Sequence, residues 1–171
     1  RYGRAGMASD AGQRVLVPLL RALGERLDML MLSHRDADHI GGAAAVLAQQ
    51  PQAQLMGSII DESALLPLPP ASLALGGQRW VWEGVAFEGL CPQAQDVTQP
   101  APATASMRSN PPTRSNASSC VLRISAAAAA DGGHGAPVTA LLVGDIELAQ
   151  EQTLLARGAP VAADWLLAAH H

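Results

Sequence analysis

His34, Asp36, Asp38 and His39 fall within six positions of one another, in the stretch LSHRDADHIGG between an apolar run and a glycine pair. Imidazole together with carboxylate is the donor set of a divalent transition metal. Two further groups share the same kind of setting. Asp145 follows the apolar run VTALLV, and His170 and His171 follow DWLLAA. If Asp36, Asp38 and Asp145 converge without a cation, they repel one another and lose their hydration. The chain has no Lys, and Arg35 alone lies beside the turn. Several carboxylates with several histidines suit two ions sharing a bridging oxygen. Taken singly, each piece has an ordinary explanation. A His pair in a loop can be surface, Asp145 in GDIE can cap a helix, and a terminal His pair can be a frayed end. It is the conjunction HxDxDHxGG that argues for a metal site.

The elements that must position these groups alternate in type. DAGQRVLVPLLRALG, residues 10–24, has helical spacing from Asp10 to Gly24, with Pro18 marking a kink or a later start. LDMLML, 27–32, reads as a short buried strand. The helix GGAAAVLAQQ starts at Gly41 and stops before Pro51, and AQLMGSII, 53–60, is a second strand. Residues 62–77 read as a Pro- and Leu-rich connection. QRWVWEGVAFEGL, 78–90, is a hairpin turning at Glu83-Gly84. Residues 92–118 are rich in Pro, Ser, Thr, Gln and Asn, which predicts a long flexible loop. A strand at SCVLRIS, a low-complexity tip at 126–135 and a strand ending at Asp145 follow. Next come a helix stopped by Gly158 and a last strand over 164–169. This alternation is that of a layered α/β (α+β) domain, in which strand ends aim distant residues at one point. A single domain over 1–171 is expected.

At 171 residues the chain is long enough to bury a core. Its net charge of −4 gives no global positive field for nucleic acid. All 11 basic residues are Arg, which suits bidentate phosphate contacts and equally fits a coding bias that also raises Ala and Gly. Cys91 and Cys120 are too few for a disulfide framework and read as buried thiols, with a single bridge between them left open for an oxidising compartment. No signal peptide is evident, and no apolar run approaches the roughly 18 residues of a membrane helix. The piece reads as a soluble fragment of something longer, because it begins without Met and stops directly after an apolar run. Trp80 and Trp82 alternate on one strand face, as sheet cover does. His134 in its Gly-rich tip, and Arg108 and Arg114 in the loop, read as solvated.

LSHRDADHIGG resembles the signature of the metallo-β-lactamase fold, with Asp36 where most members carry a second His. That HxDxDH variant resembles the C-terminal domain of ComEC/Rec2-type DNA internalization (competence) proteins. The likeness extends along SDAGQRVLVPLLRALGERLDMLMLSHRDADHIGG, WVWEGVAFEGLCP, SNASSCVLRI, LLVGDIELAQEQTLL and ADWLLAAHH. The Asp-Gly turn before the first helix and the Gly-Ser after the last histidine, both part of the family pattern, are missing. The resemblance implies an αββα sandwich, here incomplete at both ends. It implies His34, Asp36 and His39 as metal ligands, Asp38 on a second ion, Asp145 bridging the two, and His170 (rather than His171) closing the site. Asn116 stands near where many relatives place another histidine.

By the same resemblance the two ions would be manganese or zinc, with Asp36 adding the oxygen character that favours manganese. The reaction would be phosphodiester hydrolysis on DNA, a single strand or the strand that is not transported, during natural transformation. Asp38 and Asp145 would be the catalytic carboxylates that orient the attacking water. No small organic cofactor is expected. The partner would be the membrane channel portion of the same parent, an inner-membrane protein with this domain on its extracytoplasmic side. Two other readings stay open: an inactive docking module beside that channel, and a hydrolase of a small ester or lactam.

Overall fold

The computed structural model of the chain describes residues 10–58, 68–94, 114–127 and 137–170. Its contacts divide the chain into two compact units, Arg1–Leu73 and Ala74–His171.

The first unit opens on a π-helical segment, Gly12–Leu16, that runs directly into helix α1, Val17–Leu23. Asp10 Oδ1 accepts the Gln13 backbone N–H at 2.9 Å and so starts the helical turn. Pro18 stands at the start of α1, directly after the π-helical segment, so the residue that lacks an N–H falls where the helix changes from wide to ordinary turns. Gly24, at φ +68°, ends the helix in the left-handed conformation glycine favours. Strand β1 follows over Met29–Leu32 and pairs in parallel with β2, Gln54–Gly57. Between them lie the single turn α2, Ala37–Ile40, and the helix α3, Ala43–Gln49. The one helix expected from Gly41 is thus two, with Gly41-Gly42 at the joint. A two-residue strand β3, Ser72–Leu73, adds in parallel to β2 inside the stretch expected to be connection only. Leu32, Ala43, Leu47, Ala53 and Leu55 form this unit's buried core.

The glycine joint has a steric reason. A Cβ on Gly42 would come within 2.7 Å of the Gly12 nitrogen and 2.9 Å of its Cα, closer than carbon side chains approach backbone. Gly12 and Gly42 therefore let the first helical segment lie directly against the start of α3, immediately after the His39 turn.

The second unit is one five-stranded sheet in the order β4-β5-β6-β7-β8. Strands β4, Arg79–Trp82, and β5, Val85–Cys91, form the expected hairpin. Glu83 (φ +47°) and Gly84 (φ +83°) are both left-handed, as a two-residue turn matching strand twist demands. Trp80 stacks on its cross-strand partner Phe87, with centroids 5.3 Å apart, so the two rings cover the sheet. A short helix α4, Arg114–Ala117, occupies the end of the stretch expected to be loop; residues 95–113 of that stretch lie outside the described ones. Strand β6, Val121–Ala126, pairs antiparallel with β5 and with β7, Val138–Leu142. The expected tip at 126–135 falls largely outside the described residues. Helix α5, Leu148–Ala156, returns the chain to β8, Trp165–Leu167, which pairs in parallel with β7. Leu90, Cys91, Val121, Leu141, Val143, Ile146 and Leu154 form the core. Cys91 and Cys120 are both buried thiols. No helix among the described residues is long and apolar enough to cross a membrane.

Gly42→Ala is expected to force the two helical segments apart and destabilise the chain by about 1–3 kcal/mol. Chemical denaturation read by circular dichroism measures it.

Candidate metal centre

In the first unit the motif begins where β1 ends. Leu32 is in register with Gly57, the last residue of β2. Ser58, next after Gly57, donates its hydroxyl to the Ser33 carbonyl at 2.7 Å, so one strand end holds the other's loop. The Asp36 carbonyl then accepts the backbone N–H groups of His39 (2.9 Å) and Ile40 (3.0 Å), which closes the turn α2. Asp36 adopts extended backbone at the N-terminus of that turn without using its side chain as a cap. The result gathers all four sequence-predicted residues of this unit. His34 is wholly buried, and its Nε2 lies 3.6 Å from Asp36 Oδ2. His39 Nε2 lies 3.7 Å from Asp38 Oδ2. The two imidazoles pack at 4.0 Å between centroids. Both separations exceed an ordinary hydrogen bond. Asp36 and Asp38 are substantially exposed, at 40% and 61%.

One residue of this turn is not singled out by the sequence. Ser33 Oγ stands 3.1 Å from His34 Nδ1 and 3.0 Å from His39 Nδ1. Each ring thus turns Nδ1 toward the hydroxyl and Nε2 toward a carboxylate. Ligating imidazoles are commonly held in this way, one nitrogen fixed by a neighbour so that the other faces the ion.

In the second unit the pairing of β7 with β8 does the equivalent work. Leu142 is in register with Leu167, and Asp145 and His170 each lie three positions beyond. Two parallel strands ending together carry the two residues side by side, and Asp145 Oδ2 meets His170 Nε2 at 3.0 Å. Asp145 is buried at 5% exposure, and its backbone N–H donates to Ser119 Oγ at 3.1 Å. Ser119, itself wholly buried, is a second positioning group that the sequence does not reveal. Asp145 is not the N-cap of α5. Glu147 takes that place through a capping box with Gln150, so the Asp145 carboxylate is not spent on capping the helix. Asn116 offers a buried amide oxygen with no hydrogen-bond partner among the described residues. His171, His134 and Arg108 lie outside the described residues.

The donor chemistry of both units fits a divalent ion. The first contributes two imidazoles and two carboxylates; the second contributes a buried carboxylate that already faces a histidine. A buried carboxylate needs a compensating partner, and a divalent ion meets that need.

No family model matches the chain. It is 33% identical over 166 residues to Competence protein ComA of Neisseria gonorrhoeae, covering 94% of this chain and 19% of that protein. It is 29% identical over 151 residues to Recombination protein 2 of Haemophilus influenzae, covering 88% of this chain and 16% of that one. The chain therefore spans less than a fifth of the length of these relatives. Among solved structures, Rm3 metallo-β-lactamase aligns with a TM-score of 0.56 at 16% identity, covering 91% of this chain and 62% of that one. The fold is that of the metallo-β-lactamases. In sequence the chain corresponds to a metallo-β-lactamase-fold domain of ComEC/Rec2-type competence proteins.

Two consequences can be measured. Ser119→Ala removes the acceptor of a buried N–H and is expected to cost about 1–3 kcal/mol of stability, read by thermal or chemical denaturation. At the start of β8, Asp164 Oδ2 accepts both the backbone N–H (2.7 Å) and the hydroxyl (3.0 Å) of Thr139. These bonds, the backbone one foremost, hold the Asp164 carboxyl below the ordinary carboxylate range. A lowered folded value means the clamp is fully present above the ordinary carboxylate pKa of about 3.9 and is lost as pH falls through the folded value. The protection of the Trp165–Leu167 amides, measured against their intrinsic exchange rates, should fall on that acid descent, and Asp164→Ala should show the reduced protection already at neutral pH.

Proposed function

We propose that the chain is a metal-dependent phosphodiesterase domain acting on DNA, a single strand or the non-transported strand, during DNA uptake. The supporting observation is the pairing of the HxDxDH donor set, built at the end of β1, with similarity to Competence protein ComA over 94% of the chain. On this reading the two units form one domain, and His34, Asp36, Asp38, His39, Asp145 and His170 hold two divalent ions, manganese or zinc. Such ions supply Lewis-acid polarisation of a phosphodiester and a nucleophile at neutral pH. Asp38 and Asp145 orient the attacking water, while Ser33 and Ser119 fix the side chains around them. The carboxylates and the amide oxygen of Asn116 favour manganese, because hard oxygen donors suit it better than they suit zinc. The net charge of −4 gives no global positive field to hold a polyanion, so DNA is brought to the domain by the channel portion of a longer parent in the inner membrane, with this domain extracytoplasmic.

Asn116 also supports a second reading, an inactive docking module beside that channel, since an amide is a weaker ligand than the histidine many relatives carry there. Hydrolysis of a small ester or lactam would use the same site on a different substrate.

Metal content by plasma mass spectrometry separates these. About two transition-metal ions per chain are expected, lost in both Asp38→Ala and Asp145→Ala, together with manganese-dependent nicking of an oligonucleotide that both variants lose. A folded chain that takes up no ion when manganese or zinc is supplied overturns the hydrolase reading. Metal uptake with turnover of a chromogenic β-lactam, and none of DNA, overturns the substrate.

A further inference from the structure

Strand register lines up one row of residues across the five-stranded sheet: Arg79, Glu88, Arg123, Leu141 and Leu166. Residues directly opposite one another share a face. This row is charged on β4, β5 and β6 and apolar on β7 and β8. Helix α5 covers the apolar half, where its Leu154 lines one cavity with Leu141 and Leu166. The charged half has Arg79 at its rim, 73% exposed. Arg157, just past the end of α5, donates to the Leu90 carbonyl of β5 and so borders the same half. Three guanidiniums thus stand around β5 with one carboxylate among them. Glu88 accepts from Arg79 Nε at 2.9 Å. Arg123 donates to the neutral Ser125 hydroxyl at 2.8 Å, and its buried Nε has no partner among the described residues. The acids nearest to them are placed elsewhere: Asp164 binds Thr139, and Glu147 and Glu151 sit at the opposite end of α5. The neighbouring row, Trp80, Phe87, Ile124, Ala140 and Trp165, is wholly apolar and lies on the other face.

We propose that Arg79, Arg123 and Arg157 form a docking surface for the phosphate backbone of DNA. The inference rests on the proposed action of the chain on DNA. Guanidinium is always charged and grips phosphate oxygens in pairs. The aromatic rings Trp80 and Phe87 stack on the opposite face, so this one offers bases no platform and meets the backbone alone. Arg79 and Arg123 are two strand spacings apart, about 9–10 Å, which suits separate phosphates of one strand. With three positive charges against one, the patch opposes the sign of the chain as a whole, at −4. A polyanion delivered to the domain is therefore repelled over much of its surface and held here. Recognition of this kind is indifferent to sequence and weakens steeply with salt.

Fluorescence anisotropy of a labelled single-stranded oligonucleotide with the full chain, across a salt series and with a chelator present to prevent cleavage, tests the surface. Arg79→Gln, Arg123→Gln and Arg157→Gln should each weaken binding several-fold. Each should also reduce the slope of log affinity against log salt by about 0.7. Glu88→Gln is the decisive partner to Arg79→Gln. Both break the same ion pair, yet Glu88→Gln removes a negative charge and should tighten binding. Circular dichroism confirms that each variant is folded. Weakening in both members of that pair, or an unchanged slope in all three arginine variants, overturns the proposal. Co-sedimentation with phosphatidylglycerol vesicles, without binding of the oligonucleotide, overturns DNA as the partner. The expected binding pattern in a chain that takes up neither manganese nor zinc leaves the surface standing and removes the hydrolase reading. Metal-dependent nicking with every variant binding as the wild type does the reverse.

Discussion

Parallel pairing in register is the constraint on which the candidate ligands of each unit depend. When two parallel strands stop at matched residues, the loops leaving them start from the same place. Leu32 against Gly57 puts Ser33 beside Ser58, and Leu142 against Leu167 puts Asp145 beside His170. No long side chain has to reach across the fold. The backbone delivers short, stiff residues to neighbouring positions, and side-chain hydroxyls complete the placement.

Those hydroxyls order the acidic loop of each unit. Ser58 ties down the Ser33 carbonyl, Ser33 holds two imidazole nitrogens, and Ser119 accepts from the backbone of Asp145. None of the three adds charge. Each satisfies polar groups of the loops, so that the carboxylates of Asp36, Asp38 and Asp145 remain directed at histidine nitrogens rather than being consumed in capping their own helices. The same division of labour appears at α5, where Glu147 takes the cap and relieves Asp145 of it.

Much of this is legible in the sequence, for reasons that differ residue by residue. The hairpin at Glu83-Gly84 is legible because turn chemistry is local. Strand ends before His34, Asp145 and His170 are legible because apolar runs stop abruptly there, and the HxDxDHxGG pattern is specific enough to suggest its fold. Strand β3 is not legible, since two residues carry no periodicity and Ser72–Leu73 is a strand only because β2 lies beside it. The cap of α5 is ambiguous because both Asp145 and Glu147 precede the helix, and the choice between them depends on Gln150 turning back. Ser33 and Ser119 are invisible as positioning groups. A serine's role is decided by which acceptor tertiary structure brings within 3 Å or so of its oxygen, and nothing in its neighbours along the chain announces that.

The last strand has a temporal consequence. β8 is three residues long, sits at the rim of its sheet and leaves Trp165, Leu166 and Leu167 64–70% exposed. A segment with so few buried contacts opens by local fraying, at a free energy far below that of the whole domain. The Asp145–His170 contact, three positions beyond the paired residues, therefore depends on how long β8 stays paired with β7.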